Sequence, residues 1–132
     1  MADKISFDLV SPERLLLSEE AEMVTIPGTE GEMGVMAGHA PMITTLRPGT
    51  IRVSGGASTT DTYFVAGGFA EINAEKITVL AEEAVALHEL DSPALEERIT
   101  RAIAVVEAAK IESDRHKAQQ IVDFLSTLRT TH

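Results

Sequence analysis

The sequence predicts an α+β protein, an N-terminal antiparallel β-sandwich or barrel followed by a C-terminal antiparallel α-helical hairpin. Three features of the 132 residues lead there. Up to about Leu87 apolar residues alternate with polar ones, the period of a half-buried strand. Gly, Pro, Ser or Asn cuts these runs at roughly ten-residue intervals, the rhythm of sandwiches and barrels. Beyond Leu90 the apolar spacing changes to three and four, the period of a helix. The expected domains are 1–88 and 89–132.

In chain order, Ile5, Phe7 and Leu9 alternate with Ser6, Asp8 and Val10 until Ser11-Pro12-Glu13 breaks the run, and Leu15-Leu16-Leu17 begins another. Met23-Val24-Thr25-Ile26 reads as a strand ended by Pro27-Gly28. Further runs at Met42 to Leu46, Ile51 to Val53, Thr62 to Ala66, Phe69 to Ile72 and Ile77 to Leu80 are rich in β-branched or apolar residues. The paired glycines of Ala66-Gly67-Gly68-Phe69 mark a bend where backbones approach closely. Asp91-Ser92-Pro93 reads as a helix start, with Ser92 as N-cap and Pro93 at the first helical position, where a missing N–H costs nothing. Leu95, Ile99, Ala102, Val106 and Ala109 then line one face. The stripe breaks near Ser113-Asp114 and resumes as Ala118, Ile121, Val122, Leu125 and Leu128. Such a short hairpin buries too little to stand alone, so it must lean on its own sandwich or on a partner.

Composition narrows the function. Twenty-one Asp and Glu against eleven Lys and Arg give a formal charge of −10, which repels phosphate backbones and anionic lipid and disfavours nucleic-acid binding. Residues 1–88 hold thirteen acids and five bases, and residues 89–132 hold eight and six, so the acidity belongs to the sandwich. Without cysteine there is no disulfide, thiolate metal site or cysteine nucleophile. No apolar stretch approaches the ~20 residues of a membrane span, so direct membrane insertion is not expected. Met1-Ala2-Asp3-Lys4-Ile5 has neither a secretory h-region nor transit-peptide character, and reads as a mature start kept in a reducing cytoplasm.

Searches for chemistry end in structural readings. Gly28-Thr29-Glu30-Gly31-Glu32-Met33-Gly34 lacks the Lys-Ser/Thr ending of a phosphate loop and carries two glutamates where phosphate would sit. It reads as a tight exposed hairpin or bulge region with an acidic tip. His39, His88, His116 and His132 are too scattered for a zinc site, and His39 in Gly38-His39-Ala40-Pro41 reads as a hydrogen-bonded turn residue. No Gly-x-Ser-x-Gly elbow occurs, and Glu82-Glu83, side by side on a strand, point to opposite faces. No catalytic residue, cofactor or metal is expected. Met33, Met36 and Met42 suit core filling or an adaptable contact surface equally.

The order of motifs is distinctive. Val10-Ser11-Pro12-Glu13 is followed by Gly31-Glu32 and Gly34-Val35, by Gly38-His39-Ala40-Pro41-Met42-Ile43-Thr44, by Pro48-Gly49, by Phe64-Val65-Ala66-Gly67-Gly68-Phe69-Ala70-Glu71 and by Thr78-Val79-Leu80-Ala81-Glu82. This resembles the epsilon subunits of bacterial F-type ATP synthases across nearly the whole sandwich. The resemblance implies a non-catalytic rotor subunit that binds the gamma shaft and the c-ring, held peripherally on the cytoplasmic side of the bacterial inner membrane. It implies that Glu30 and Glu32 face the c-ring and that Ser11, His39 and Thr44 pack on gamma. Many members brake ATP hydrolysis with the hairpin, reaching the alpha/beta catalytic head, and some bind ATP through Leu-Asp-x-x-Arg-Ala. Here the stretch is Leu90-Asp91-Ser92-Pro93-Ala94-Leu95, with Ala94 in place of the arginine, so the fork that would pair with phosphate is missing. With only Arg115, Lys117 and Arg129 as bases on the second helix, braking is expected to be weak or absent. The alternative is a stand-alone nucleotide-sensing domain of the same fold, distinguished by nucleotide-dependent heat in the absence of gamma.

Overall fold

A computed structural model of the chain describes residues 4–56 and 62–131. The strands are β1 (Ile5–Val10), β2 (Leu15–Ala21), β3 (Met23–Gly28), β4 (Gly31–Val35), β5 (Met42–Leu46), β6 (Gly49–Ser54), β7 (Thr62–Val65), β8 (Gly68–Ile72), β9 (Lys76–Ala81) and β10 (Ala84–Ala86). A 3-10 turn at Leu87–Glu89 precedes helices α1 (Ser92–Ala108) and α2 (Glu112–Thr131). The α+β layout follows the periodicities, because alternation places Ile5, Phe7 and Leu9 inward on β1 and Ile77, Val79 and Ala81 inward on β9. The chain divides into two compact units after Leu87.

In the first unit the hydrogen-bonded strand order is β10-β7-β6-β3-β5-β8-β9-β1-β2, with β4 on β3. Strand β3 is the corner. Its first residues pair with β6 (Val24↔Val53, Thr25↔Arg52) and its last, Gly28, pairs with Leu46 of β5. The sheet therefore folds over along β3, and Phe7, Leu9, Ile72 and Val79 from one half meet Val24, Ile26, Ile51 and Val65 from the other in one buried core.

Several details depart from the sequence reading. β1 and β9 pair in parallel, whereas every other pairing among the described residues is antiparallel. β3 runs on through Pro27 to Gly28 because Pro27 faces Glu32 of β4 and its carbonyl is used on the other side, accepting from Arg47 N–H at 2.9 Å. β4 and β10 were not expected as strands, and both are held by long-range pairing rather than by propensity. Glu82 and Glu83 occupy the bend between β9 and β10, not a strand. Of the two paired glycines, Gly68 has φ of +138°, and a Cβ there would lie 2.1 Å from the Leu80 carbonyl oxygen, so only glycine fits.

In the second unit α1 begins one residue earlier than expected, with Asp91 and not Ser92 as the N-cap: its carboxylate accepts from Ala94 N–H at 3.1 Å. Both residues are capping types, and the carboxylate adds a charge favourable to the helix N-terminus. α2 begins at Glu112, ahead of the expected break at Ser113-Asp114. Leu95, Ile99, Ala118 and Leu125 are buried, as the two stripes require. Arg115 closes the connection, donating to the Ala109 carbonyl at 3.2 Å and pairing with Glu112 at 3.3 Å. At the open end Arg129 grips both oxygens of Glu96 at 2.6 and 2.7 Å, a fork-to-fork pair that fixes the register of the helices. Replacing Asp91 with alanine should lower the stability of the hairpin by about 1 kcal/mol, read as a lower melting point of helical circular dichroism.

Candidate functional site

Two surface features of the sandwich stand out, an acidic tip and an apolar row. The tip is the two-residue loop Thr29-Glu30 joining β3 to β4, closed by the Gly28↔Gly31 pair. Gly31 takes φ of +135°, which lets the chain turn while Thr29 and Glu30 keep ordinary backbone angles. Glu30 projects at the apex and Glu32 lies two residues on, both exposed. Arg52 of β6 approaches Glu32 at 3.5 Å in an exposed pair of small energetic weight. The tip is thus negative and open to solvent, as the sequence suggested.

The apolar row emerges only from strand register. Thr45 pairs with Phe69, Phe69 with Leu80, Leu80 with Val10 and Val10 with Leu15, so five strands place these side chains in one line across the outer face. The neighbouring inward positions, such as Leu46, Ala70, Val79 and Leu9, are buried core. Alternation therefore leaves Phe69 45% exposed, Leu80 38% and Leu15 56%. An apolar line of this kind on the solvent side of a packed sheet is a candidate contact surface. Ser11 and Pro12 border it, forming a shallow groove with Val10, Phe69 and Leu80. The Ser11 hydroxyl and N–H both donate to the Arg14 carbonyl, holding the β1–β2 turn at the edge of the groove.

His39 and Thr44 lie elsewhere on the sandwich. Thr44 is half-buried and alternates to the side of β5 opposite Thr45, pairing with core Ala70. His39 is in the β4–β5 connection, its N–H on the Met36 carbonyl at 3.2 Å and its ring Nδ1 2.7 Å from the Ala40 carbonyl. That connection is held at the Asn73–Glu75 turn by Gly38 N–H on the Ala74 carbonyl, at the end of β5 away from Ser11. Exposed Met36, Met42 and Ile43 lie around it. Ser11, His39 and Thr44 are therefore spread along the strands, a distribution suited to a broad protein contact rather than to a small-molecule pocket.

Beside the apolar row the next outward positions are Ile43, Glu71, Thr78, Asp8 and Ser18. Lys76 binds Asp8 at 2.9 Å and the Ser18 hydroxyl donates to it at 2.7 Å. Hydrogen bonds from Lys76 and then Ser18 outweigh the desolvation that would raise it, and hold the Asp8 carboxyl below its ordinary value of 3.8. A carboxyl lowered on folding stabilises above its unfolded value and loses that contribution as pH falls through the folded value. Asp8→Asn should therefore cost stability at pH 6 and little at pH 2, read from urea midpoints at both.

Leu90 is buried, and Asp91 is occupied as the N-cap of α1 through Ala94 N–H. His132 lies outside the described residues. Among the described residues no three His, Asp or Glu side chains converge as a metal site, and no helix is long and apolar enough to cross a membrane.

Residues 4–87 match the family model described as ATP synthase, Delta/Epsilon chain, beta-sandwich domain. The chain is 50% identical over 131 residues to the ATP synthase epsilon chain of Parvibaculum lavamentivorans, covering 99% of each. It is 52% identical over 118 residues to that of Paramagnetospirillum magneticum, covering 89% of this chain and 87% of the other. Among solved structures it is similar to a chain of the Euglena gracilis mitochondrial ATP synthase (OSCP/F1/c-ring), with TM-score 0.73, 29% identity, and coverage of 97% and 81%. A chain in the central stalk/c-ring structure from Tetrahymena thermophila shares the fold at TM-score 0.72 and 12% identity, covering 96% of this chain and 97% of that one.

Proposed function

Because the chain belongs to the ATP synthase epsilon-chain family, we propose that it is a non-catalytic subunit of the central rotor, coupling c-ring rotation through gamma to ATP synthesis. The observation that carries this reading is the outward line Thr45-Phe69-Leu80-Val10-Leu15 on a well-packed sandwich, beside an exposed acidic tip. The apolar line offers desolvation energy to the gamma shaft. Ser11 supplies a polar rim to that contact, and His39, in the β4–β5 connection, extends it past the far end of β5, whereas Thr44 alternates away from the row and would meet gamma only at the edge of the sandwich. Glu30 and Glu32 offer charge to the polar loops of the ring. The protein is held on the cytoplasmic side of the bacterial inner membrane through these contacts alone.

The hairpin contributes little braking of ATP hydrolysis in this reading. α2 offers few bases, and of these Arg115 is engaged by Ala109 and Glu112 and Arg129 by Glu96 within the hairpin; Ala94 in place of the arginine, with Asp91 engaged as a helix cap, argues separately against ATP binding. The test is to strip the enzyme of its own copy and titrate back the full chain or residues 1–90, recording hydrolysis and proton pumping. Both should restore pumping and leave hydrolysis equal. Suppression of hydrolysis by the full chain alone would show that the hairpin is a brake.

A further inference from the structure

The β3–β4 ribbon packs on the core through Val24, Ile26, Met33 and Val35, and its outer end carries the acidic tip past the ladder with β6. β6 pairs with β3 only as far as Thr25↔Arg52, β5 meets it at Gly28↔Leu46, and among the described residues β4 pairs with β3 alone. A two-stranded ribbon is marginal in water by itself. Beyond that core packing, the direction of the outer end depends on what grips Pro27, Gly28 and Thr29.

Two residues supply that grip, Arg47 and Thr45. Arg47, between β5 and β6, donates its backbone N–H to the Pro27 carbonyl at 2.9 Å and its guanidinium Nε–H to the Gly28 carbonyl at 3.0 Å. Pro27 has no N–H, so on the edge away from β4 a regular ladder cannot continue there, and the side chain of Arg47 adds a charge-assisted bond at Gly28 in its place. On the same ribbon the Thr29 hydroxyl lies 2.9 Å from the Thr45 hydroxyl and 3.2 Å from the Thr45 carbonyl. Gly49 lets the segment after Arg47 close onto the ribbon, since a Cβ there would lie 2.9 Å from Pro27 Cβ. Thr45 belongs to both the brace and the apolar row, so tip and row meet directly through the Thr29–Thr45 hydrogen bond.

We infer that Arg47 is a positioning residue: by holding Pro27 and Gly28 it fixes the β3–β4 ribbon to the sandwich, so that force on the acidic tip reaches the docking row instead of bending the ribbon. This rests on the reading of the tip as the ring contact.

The test has two arms. Arg47→Met keeps the aliphatic stem and removes the side-chain donor. In the free full-length chain it should speed amide exchange in residues 28–33 about fivefold and leave β8 and β9 unchanged. Arg47→Lys, which returns a donor, should recover part of that protection. In the complex assembled with ring and shaft, Arg47→Met should lower the protons pumped per ATP hydrolysed without weakening the hold on gamma. Unchanged exchange at 28–33, or equal acceleration in β8 and β9, overturns the brace, and so does faster exchange with unimpaired pumping. Glu30→Lys in the same preparation separates the two ideas. If it lowers pumping and Arg47→Met does not, the brace alone fails; if it leaves pumping intact, the ring contact and the brace fall together.

Discussion

Replacing Phe69 with aspartate should weaken binding to gamma by about a hundredfold or more, and Leu80→Asp should do nearly the same. Both side chains point outward, at 45% and 38% exposure, beside each other in the register of β8 and β9. In the free chain the new carboxylate stands in water, so folding should lose only the packing of a half-covered side chain and some strand propensity, about 1 kcal/mol, and the chain stays folded. In the complex it would be buried against an apolar partner without a cation, and that penalty falls entirely on binding. The separation of the two readouts is the diagnostic point. A core substitution such as Phe7→Ala lowers stability first, because Phe7 is fully buried. Calorimetric titration against gamma, with thermal melts of the free chain, reads both quantities. Equal affinity for the variants and the parent would place the shaft contact elsewhere.

Reversing the charge at the tip should have the second large effect, on coupling rather than on shaft affinity. Glu30 stands at the apex and is exposed, so Glu30→Lys leaves the fold of the sandwich untouched. Against ring loops that accept an acid, a like-charge or mismatched contact should weaken the ring contact by about tenfold. Proton pumping per ATP hydrolysed should fall with it, most strongly at low ionic strength, because the charges are exposed and screened by salt. Glu30→Gln should have a smaller effect of the same sign. Glu32→Lys carries an added local term, since it also opposes Arg52 at 3.5 Å in the parent. If Glu30→Lys pumps as well as the parent at all salt concentrations, the tip is not the ring contact.

Much of this architecture was legible in the sequence, where local pattern carries it. Ile5, Phe7 and Leu9 alternate because one face of β1 is core, and Leu95 and Ile99 recur at four because one face of α1 is buried. The acidic tip was legible too, because three glycines and two glutamates in seven residues exclude a phosphate loop and a buried strand alike. Non-local features were not legible. β4 was hidden by Gly31 and Gly34, which disfavour strands, and it exists because β3 supplies its hydrogen bonds. The parallel pairing of β1 with β9 joins segments some seventy residues apart, and no local signal announces it.

The apolar row is the most instructive case. Val10, Thr45, Phe69 and Leu80 come from four separate segments and become neighbours only through register. A signal was present: Phe69 and Leu80 are large apolar residues at outward positions of strands whose inward positions, Ala70 and Val79, are already apolar. In the proposed reading, alternation breaks there because the outer face docks on gamma. The same register shows why Ser11, His39 and Thr44 do not form one cluster. Ser11 borders the row, Thr44 alternates away from it, and His39 belongs to the far end of β5.

The most direct measurement uses the absence of cysteine in the chain. Single cysteines at Phe69, Glu30 and exposed His116 can each carry a short photoactivated crosslinker in the assembled enzyme. The label at Phe69 is expected to join gamma, the label at Glu30 to join the ring, and the label at His116 to join neither. Capture of gamma or the catalytic head from His116, with none from Phe69 or Glu30, would contradict the account and move the coupling contacts from the sandwich to the hairpin.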